Sequence, residues 1–291
     1  NFLNKLWNAN NFLIQNKCNL KNSKKLPKLK VNINKWIYFE LLETSKLIKK
    51  NIEDYRFDEA AKNAYHFAWH KYCDWYLELS KTILFSDNLK DKNEVKEVSA
   101  FVFKQILIML HPFIPFVTEK IWLTNKFDNK NKNFLMLSNW ISGKPKKDNN
   151  HKQVQHIIDI ISSIRSFKNE LNVSPGSFID LSINSIKKNN QNFMLDNEII
   201  IKKLGRINNF FSKDQNKPAA SLIISGDLFK VYFDENVDLT TIKENLLKRQ
   251  NKYKEEMNKI SQRLSNKGFV QRAPKDIVQQ EKTNYSNLKN D

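Results

Sequence analysis

Leu110-His111-Pro112-Phe113-Ile114-Pro115-Phe116-Val117-Thr118-Glu119-Lys120-Ile121-Trp122 is the stretch on which the fold turns. Before it, Val95 to Leu110 carries apolar residues at helical spacing. The residue preceding a proline is pushed out of the helical region, so that helix is predicted to stop at His111-Pro112. Pro115 suits the start of a new helix through Trp122, because the N–H that proline lacks is unbonded in a first turn anyway. A long helix, a proline bend and a short helix form one corner of a bundle. The same spacing recurs upstream. Residues 1–20 place Phe2, Leu3, Leu6, Trp7, Phe12 and Leu13 on a helix, and the basic stretch Lys21 to Asn34, with Pro27, reads as a loop. Asn34 is predicted to cap a helix through about Asn51, with Trp36, Phe39, Leu42 and Ile48 as its apolar stripe. Asp58 is predicted to cap the next, which runs through Ala60, Ala64, Phe67, Tyr72, Trp75 and Leu79. Trp69, Trp75 and Trp122, with Phe113 and Phe116, are expected in the core.

Downstream the pattern changes. Asn125 to Asn150 is polar and reads as a connection, with an ordered piece at Phe134 to Trp140. Gln153 to Leu171 is helical, Pro175-Gly176 marks a turn, and Phe178 to Ile183 alternates like a half-buried strand. Ala219 to Ile224 and Leu228 to Phe233 flank Ser225-Gly226-Asp227 and predict a hairpin. Finally Leu246, Gln250, Tyr253, Met257, Ile260 and Leu264 make a heptad seam. Val278, Glu281, Tyr285 and Leu288 make another after the break at Asn266-Lys267-Gly268 and Pro274. The expected architecture is therefore mainly α: a helical bundle at 1-145, a small α+β subdomain at 151-236 and an antiparallel coiled-coil arm at 237-291.

The chain has 291 residues, with 49 Lys+Arg against 31 Asp+Glu, a net charge of +18 and a pI near 9.6. Its 40% hydrophobic and 12% aromatic content excludes a disordered chain. Five Gly cannot build a glycine-rich phosphate loop, and two Cys exclude a disulfide scaffold or a cysteine-rich zinc site. The charge favours a polyanion partner, nucleic acid before membrane. Only 6 of the basic residues are Arg, and Lys and Asn abound, so part of the charge reflects a bias toward A/T-rich codons. The longest uncharged apolar run, Gln105 to Thr118, is too short to span a bilayer and contains two prolines. The chain opens on Asn1 without a basic-then-apolar leader, so no signal peptide is expected and the sequence is read as beginning inside a longer protein.

Catalytic constellations are scarce. His66 and His70 stand four apart on one helix but lack a third ligand. Asp74 and Glu78 share a helix face beside Trp75 and Tyr76, and read as structural partners of nearby cations more readily than as an acid/base pair. Cys18 and Cys73 read as small apolar residues. The chain is expected to bind rather than to catalyse.

Several segments resemble one family. Asn4-Lys5-Leu6-Trp7-Asn8-Ala9 is similar to the helix that opens the anticodon-binding domain of valyl-tRNA synthetases. Phe57-Asp58-Glu59-Ala60-Ala61, Phe67-Ala68-Trp69 and Tyr72-Cys73-Asp74-Trp75-Tyr76-Leu77-Glu78 resemble the following signature. Leu110 to Trp122 is similar to the family's His-Pro-Phe-x-Pro-Phe-x-Thr-Glu-x-x-Trp block, and Ile164-Arg165 with Glu170 to Gly176 resembles the opening of its next subdomain. Leu264 to Val278 looks like the turn of the coiled-coil arm, which isoleucyl and leucyl relatives lack. The resemblance covers essentially the whole chain. It implies a C-terminal piece of an ATP-dependent, cytoplasmic, monomeric ligase whose partner is the tRNA for valine. The ATP-binding His-x-Gly-His and Lys-Met-Ser-Lys-Ser motifs are absent from this sequence. ATP, with magnesium, and the catalytic and editing domains would belong to a preceding segment, and no cofactor is expected here. The rival readings are an isoleucyl-type ligase and a basic helical scaffold without catalysis.

The resemblance also implies site residues. Asn4, Lys5 and Asn8 offer polar contacts to the anticodon and Trp7 a stacking face, unless Trp7 belongs to the core. Arg165 and Lys168 are candidates for phosphate. Lys248, Arg249, Lys252, Lys259, Arg263, Lys267 and Arg272 would line the arm and hold RNA backbone without reading sequence. The chain departs from the family's Ala-Arg-Phe at Asn10-Asn11-Phe12 and from its usual Arg at Lys168, which keeps the charge but loses the bidentate fork.

Overall fold

The computed structural model describes residues 1–18, 26–125, 127, 134–144, 149–215, 218, 220–224, 226–233, 239–266, 268 and 274–290, with only the backbone at 149, 150, 239, 241, 245, 246, 249, 275 and 287–290. They form two compact units, Asn1–Ser162 with Asn192–Gly205, and Ser163–Gln191 with Arg206–Asp291. No helix among the described residues is long and apolar enough to cross a membrane.

The first unit is helical: α1 (Phe2–Gln15), α2 (Asn32–Glu53), α3 (Phe57–His66), a π-helical segment (Phe67–Tyr76), α4 (Leu77–Leu84), α5 (Leu89–Leu110) and α6 (Pro115–Asn125). A 3-10 turn at Leu135–Leu137 precedes α7 (Asn149–Glu170), which runs on into the second unit. Trp36, Phe67, Tyr72, Tyr76, Phe103 and Phe127 are fully buried. Each such side chain stabilises the fold by roughly 1.5–3 kcal/mol relative to exposure.

Asn34 is not the cap of α2. The helix begins before it, and the Asn34 side chain is fully buried, accepting from the Tyr76 hydroxyl at 2.7 Å and donating to Glu94 at 3.0 Å. The entry to α2 is held by α5 instead: Glu94 Oε1 accepts from the amides of Lys30 and of the N-cap residue Val31, both at 2.9 Å. Similarly, α3 starts one residue before Asp58, whose carboxylate sits in the first turn and complements the helix dipole.

The first helix ends at Gln15, short of the expected 20, because Lys17 adopts a left-handed φ of 55°. The Lys17 amide bonds the Ile14 carbonyl and the Cys18 amide that of Leu13, a Schellman closure. Tyr55 and Asn172 end α2 and α7 in the same way.

The expected single helix through Leu79 is wound wide in its middle. Phe67, Ala68, Tyr72, Cys73, Tyr76 and Leu77 are all buried, and they recur at steps of five and four. In an α-helix, positions five apart point about 140° away from each other. The i→i+5 bonding of a π-helix brings them back to one side. The proline corner behaves as expected. Thr118 gives its hydroxyl hydrogen to the Ile114 carbonyl (2.9 Å), so its oxygen accepts from His111 Nδ1–H, also at 2.9 Å. The buried face of α6 is Thr118, Ile121, Trp122 and Asn125. Phe116 falls on the opposite face and is 91% exposed, contrary to its expected place in the core.

The second unit carries a four-stranded sheet in the order β2-β1-β4-β3, with β1 at Ile179–Ser182, β2 at Ile207–Phe211, β3 at Ala220–Ile224 and β4 at Asp227–Phe233. The β3–β4 hairpin is as predicted, and Gly226 supplies the positive φ its turn needs. β2 pairs parallel with β1. A parallel pair needs a crossover, and the chain between them passes through α8 (Lys188–Asp196) and α9 (Glu198–Gly205). Ile179, Leu181 and Val231 are buried, and the Phe167 ring of α7 stacks on Phe233 at 6.2 Å and 3°. Helices α10 (Leu239–Ser265) and α11 (Lys275–Asn290) pack on each other, with Ile260 and Val278 buried.

Candidate nucleic-acid interface

Leu6, Ala9, Asn10 and Leu13 face the core and fix the roll of α1. Asn4, Trp7 and Asn8, at i, i+3 and i+4, therefore share the outer face, and all three are exposed. Trp7 is 38% exposed, so it is not a core tryptophan. Lys5 turns toward the π segment. Its ammonium pairs with Asp74 at 2.8 Å and lies 5.4 Å from the Trp69 ring centre, and the bond to Asp74 raises its pKa. Asp74 also meets His70 Nδ1 at 3.2 Å, and Glu78 holds Lys81 at 2.6 Å, so both carboxylates are structural partners.

Beside α1 the structure assembles an aromatic cluster that includes Trp69, which was expected in the core. Phe2, Tyr65 and Trp69 have ring centroids 4.9 to 6.0 Å apart. Tyr65 is exposed and Trp69 half-exposed, with His70 at 6.2 Å from Tyr65. Burial, then the nearby His70 charge, lowers the pKa of His66. Half-exposed rings with a cation against them suit the faces of unpaired bases. The π winding is what presents Trp69 here, and its five-residue rhythm was the available signal. Among the described residues no group of His, Cys, Asp or Glu could hold a metal ion.

On α10, Lys248, Lys252, Lys259 and Arg263 are exposed. At ~100° per residue they fall within about 60° of arc, forming a stripe about 22 Å long. The half-buried Tyr253, Met257 and Leu264 and the buried Ile260 lie on a different face, which is why the stripe stays outside. Arg263 also pairs with Glu281 of α11 at 3.1 Å. Lys267, Arg272 and the Arg249 side chain lie outside the described residues.

Arg165 and Lys168 part company. Arg165 is exposed, but Lys168 is 2% exposed, and its ammonium donates to the carbonyls of Ser177 (2.8 Å) and Arg206 (3.2 Å). Burial, then the charges of Arg206 and Arg165, lowers its pKa to about 8. Lys168 ties together backbone segments instead of reaching toward a phosphate, which corrects the sequence expectation. Three residues separate it from Arg165, and its neighbour Phe167, also buried, stacks on Phe233.

Residues 34–183 match the family model described as the anticodon-binding domain of tRNA ligase, and residues 238–291 match that of the valyl tRNA synthetase tRNA binding arm. The valine–tRNA ligase of Pelagibacter ubique is 70% identical over 291 residues, all of this chain and 33% of that relative. Those of Brucella suis and Bartonella henselae are 31% and 32% identical over 99% of this chain and 32% of their own lengths. The chain thus spans about a third of the length of the curated relatives it matches. The matched anticodon-binding region starts after α1, so the outer face of α1 rests on geometry and on its sequence motif. With more than half of its length on the first model, the chain belongs to the tRNA ligase family defined by that anticodon-binding domain.

Proposed function

We propose that the chain is the tRNA-holding region of a valine–tRNA ligase, the enzyme that joins valine to its tRNA with ATP. In this reading 1-145 is the bundle that meets the anticodon, 151-236 is a small α+β subdomain, and 237-291 is an antiparallel coiled-coil arm laid along the RNA backbone. The observation that carries it is a coincidence of two kinds. The valyl arm match at 238–291 falls on helices whose exposed Lys248, Lys252, Lys259 and Arg263 form one cationic stripe. Phosphate contacts set position and base contacts set identity. The stripe, with Lys267 and Arg272 at the turn and Arg249 beside it, takes phosphates. Asn4, Trp7 and Asn8, with Lys5 alongside, take unpaired bases.

Chemistry belongs to other parts of the longer ligase. This sequence holds neither a His-x-Gly-His nor a Lys-Met-Ser-Lys-Ser motif, so its residues do not fit a site for ATP and magnesium. Its contribution is orientation: holding the tRNA body fixes where the acceptor end can reach, which lowers the entropic cost of the reaction. The ligase works as a monomer in the cytoplasm.

Binding of the 291-residue chain to a valine-accepting tRNA transcript and to one with an altered anticodon, across a salt series, tests the reading. A preference for the valine anticodon that survives rising salt supports base reading by α1. Equal binding that falls steeply with salt restricts this region to backbone contacts. No binding at low salt to either RNA overturns the proposal.

A further inference from the structure

Helix α6 carries apolar side chains on both of its sides. Ile121 and Trp122 face the core together with Thr118 and Asn125, whose polar groups bond His111 and Asn10. Phe116 and Leu123 face outward, 91% and 50% exposed. With Glu119 and Lys120 between them they stand at i, i+3, i+4 and i+7, a single outer face. A helix on the surface of a soluble domain ordinarily turns polar residues to water, and one that is apolar all round is covered all round. These four residues, with His111 and Pro115, line an open groove of about 400 Å³. The 3-10 turn adds to the same apolar ground. Glu119 accepts from the Leu135 amide at 3.1 Å, which ties the turn to this face of α6. Leu135 is buried, while its neighbours Phe134, Met136 and Leu137 are exposed. Large apolar side chains gathered in this way mark an interaction surface. Leucine and methionine offer a polyanion neither charge nor a flat ring, so RNA is not its natural partner.

We propose that the outer face of α6 and the adjoining turn dock an apolar face of another domain of the same polypeptide, with Phe116 as the anchor. The inference rests on the reading of the chain as one region of a longer ligase. The chain spans about a third of the relatives it matches, so about two thirds of such a protein is tethered to this bundle. Tethering raises the effective concentration of that partner, so a patch of a few side chains is enough to hold it. Interfaces between domains of one chain are of this modest kind, roughly 600–1,500 Å². Docking here would fix the tRNA-holding bundle against the rest of the ligase.

The test places a cysteine on the patch. Phe116→Cys and, separately, Met136→Cys are made in the 291-residue chain and in the whole ligase. Their modification by a maleimide is followed by mass spectrometry of the peptide, relative to the same protein in urea. Cys18 and Cys73 are buried and their thiol pKa values are pushed up to about 12 by that burial, so both react slowly in the folded chain. The new cysteine is expected to react freely in the chain and about tenfold or more slowly in the whole ligase. Equal rates in the two, with a whole protein that charges tRNA with valine, overturn the docking and leave the reading of the chain intact. Protection that grows with protein concentration, with a dimer in sedimentation, assigns the patch to a second copy and overturns the proposal. A whole protein that does not charge tRNA with valine overturns the reading of the chain, and the proposal with it. Phe116 decides the question; if F116C melts early by circular dichroism, M136C decides it instead.

Discussion

Raising the pH from 7.5 to 9.5 should stabilise the second unit through Lys168. Its ammonium is buried beside two arginines, and its pKa falls from 10.5 to about 8 on folding. Between those values the unfolded chain binds a proton that the folded chain has released, so stability rises with pH. The stabilisation is complete above the unfolded value and is lost as pH falls through the folded one. At ~1.4 kcal/mol per pH unit, about one and a half units of this window lie below pH 9.5, which corresponds to about 2 kcal/mol. The neutral amine still carries two hydrogens for the Ser177 and Arg206 carbonyls, so deprotonation need not break those bonds. Urea unfolding of the chain and of K168M, followed at both pH values, isolates the effect: the other lysines cancel in the difference. The parent should gain about 2 kcal/mol on the variant between pH 7.5 and 9.5. A side-chain NMR titration of Lys168 near 10.5, or a pH-independent difference, would refute the reasoning.

Three further outcomes follow from the geometry. Tyr76→Phe leaves the buried Asn34 carbonyl oxygen without its hydroxyl donor and should lower stability by about 1–3 kcal/mol, read as a fall in thermal midpoint. Glu94→Ala frees the Lys30 and Val31 amides together and should cost about 0.5–2 kcal/mol in denaturant unfolding, while Glu94→Gln, which keeps an acceptor, should cost less. Lys17→Gly removes a side chain from a left-handed position and should stabilise by about 0.5–1 kcal/mol, whereas the same change at helical Lys46 should destabilise in the same assay.

The bundle was legible because its helices bury broad apolar stripes and stop at physical breakers: Pro112 ended α5 and Pro115 opened α6 as predicted. The hairpin was legible from two β-prone runs around Gly226. The α8, α9 and β2 segments were missed because the apolar residues of Lys187 to Phe211 fall in short runs between Lys and Asn without a clear period, and strand Ile207–Phe211 alternates poorly. Helix ends were misjudged for another reason. Lys17 and Tyr55 occupy left-handed positions where glycine is the usual signal, and the chain has only five glycines. At the candidate interface, the exposure of Asn4 and Asn8 agrees with their reading as polar contacts, whereas spacing set Trp7 beside Leu6 and Leu13 and left its place open until the structure put it outside. The burial of Lys168 was not legible, because it depends on carbonyls nine and 38 residues away.

The carboxylate of Glu94 at the start of α2 has a kinetic consequence. A side chain at the helix's own N-terminus would satisfy the first amides as soon as a turn formed. Here the acceptor comes 64 residues after Lys30 and 63 after Val31. The entry to α2 is therefore held only once α5 has docked, and closing so long a loop carries an entropic cost before any contact offsets it. Hydrogen exchange at the Lys30 and Val31 amides reads out the arrival of α5 instead of the local opening of α2.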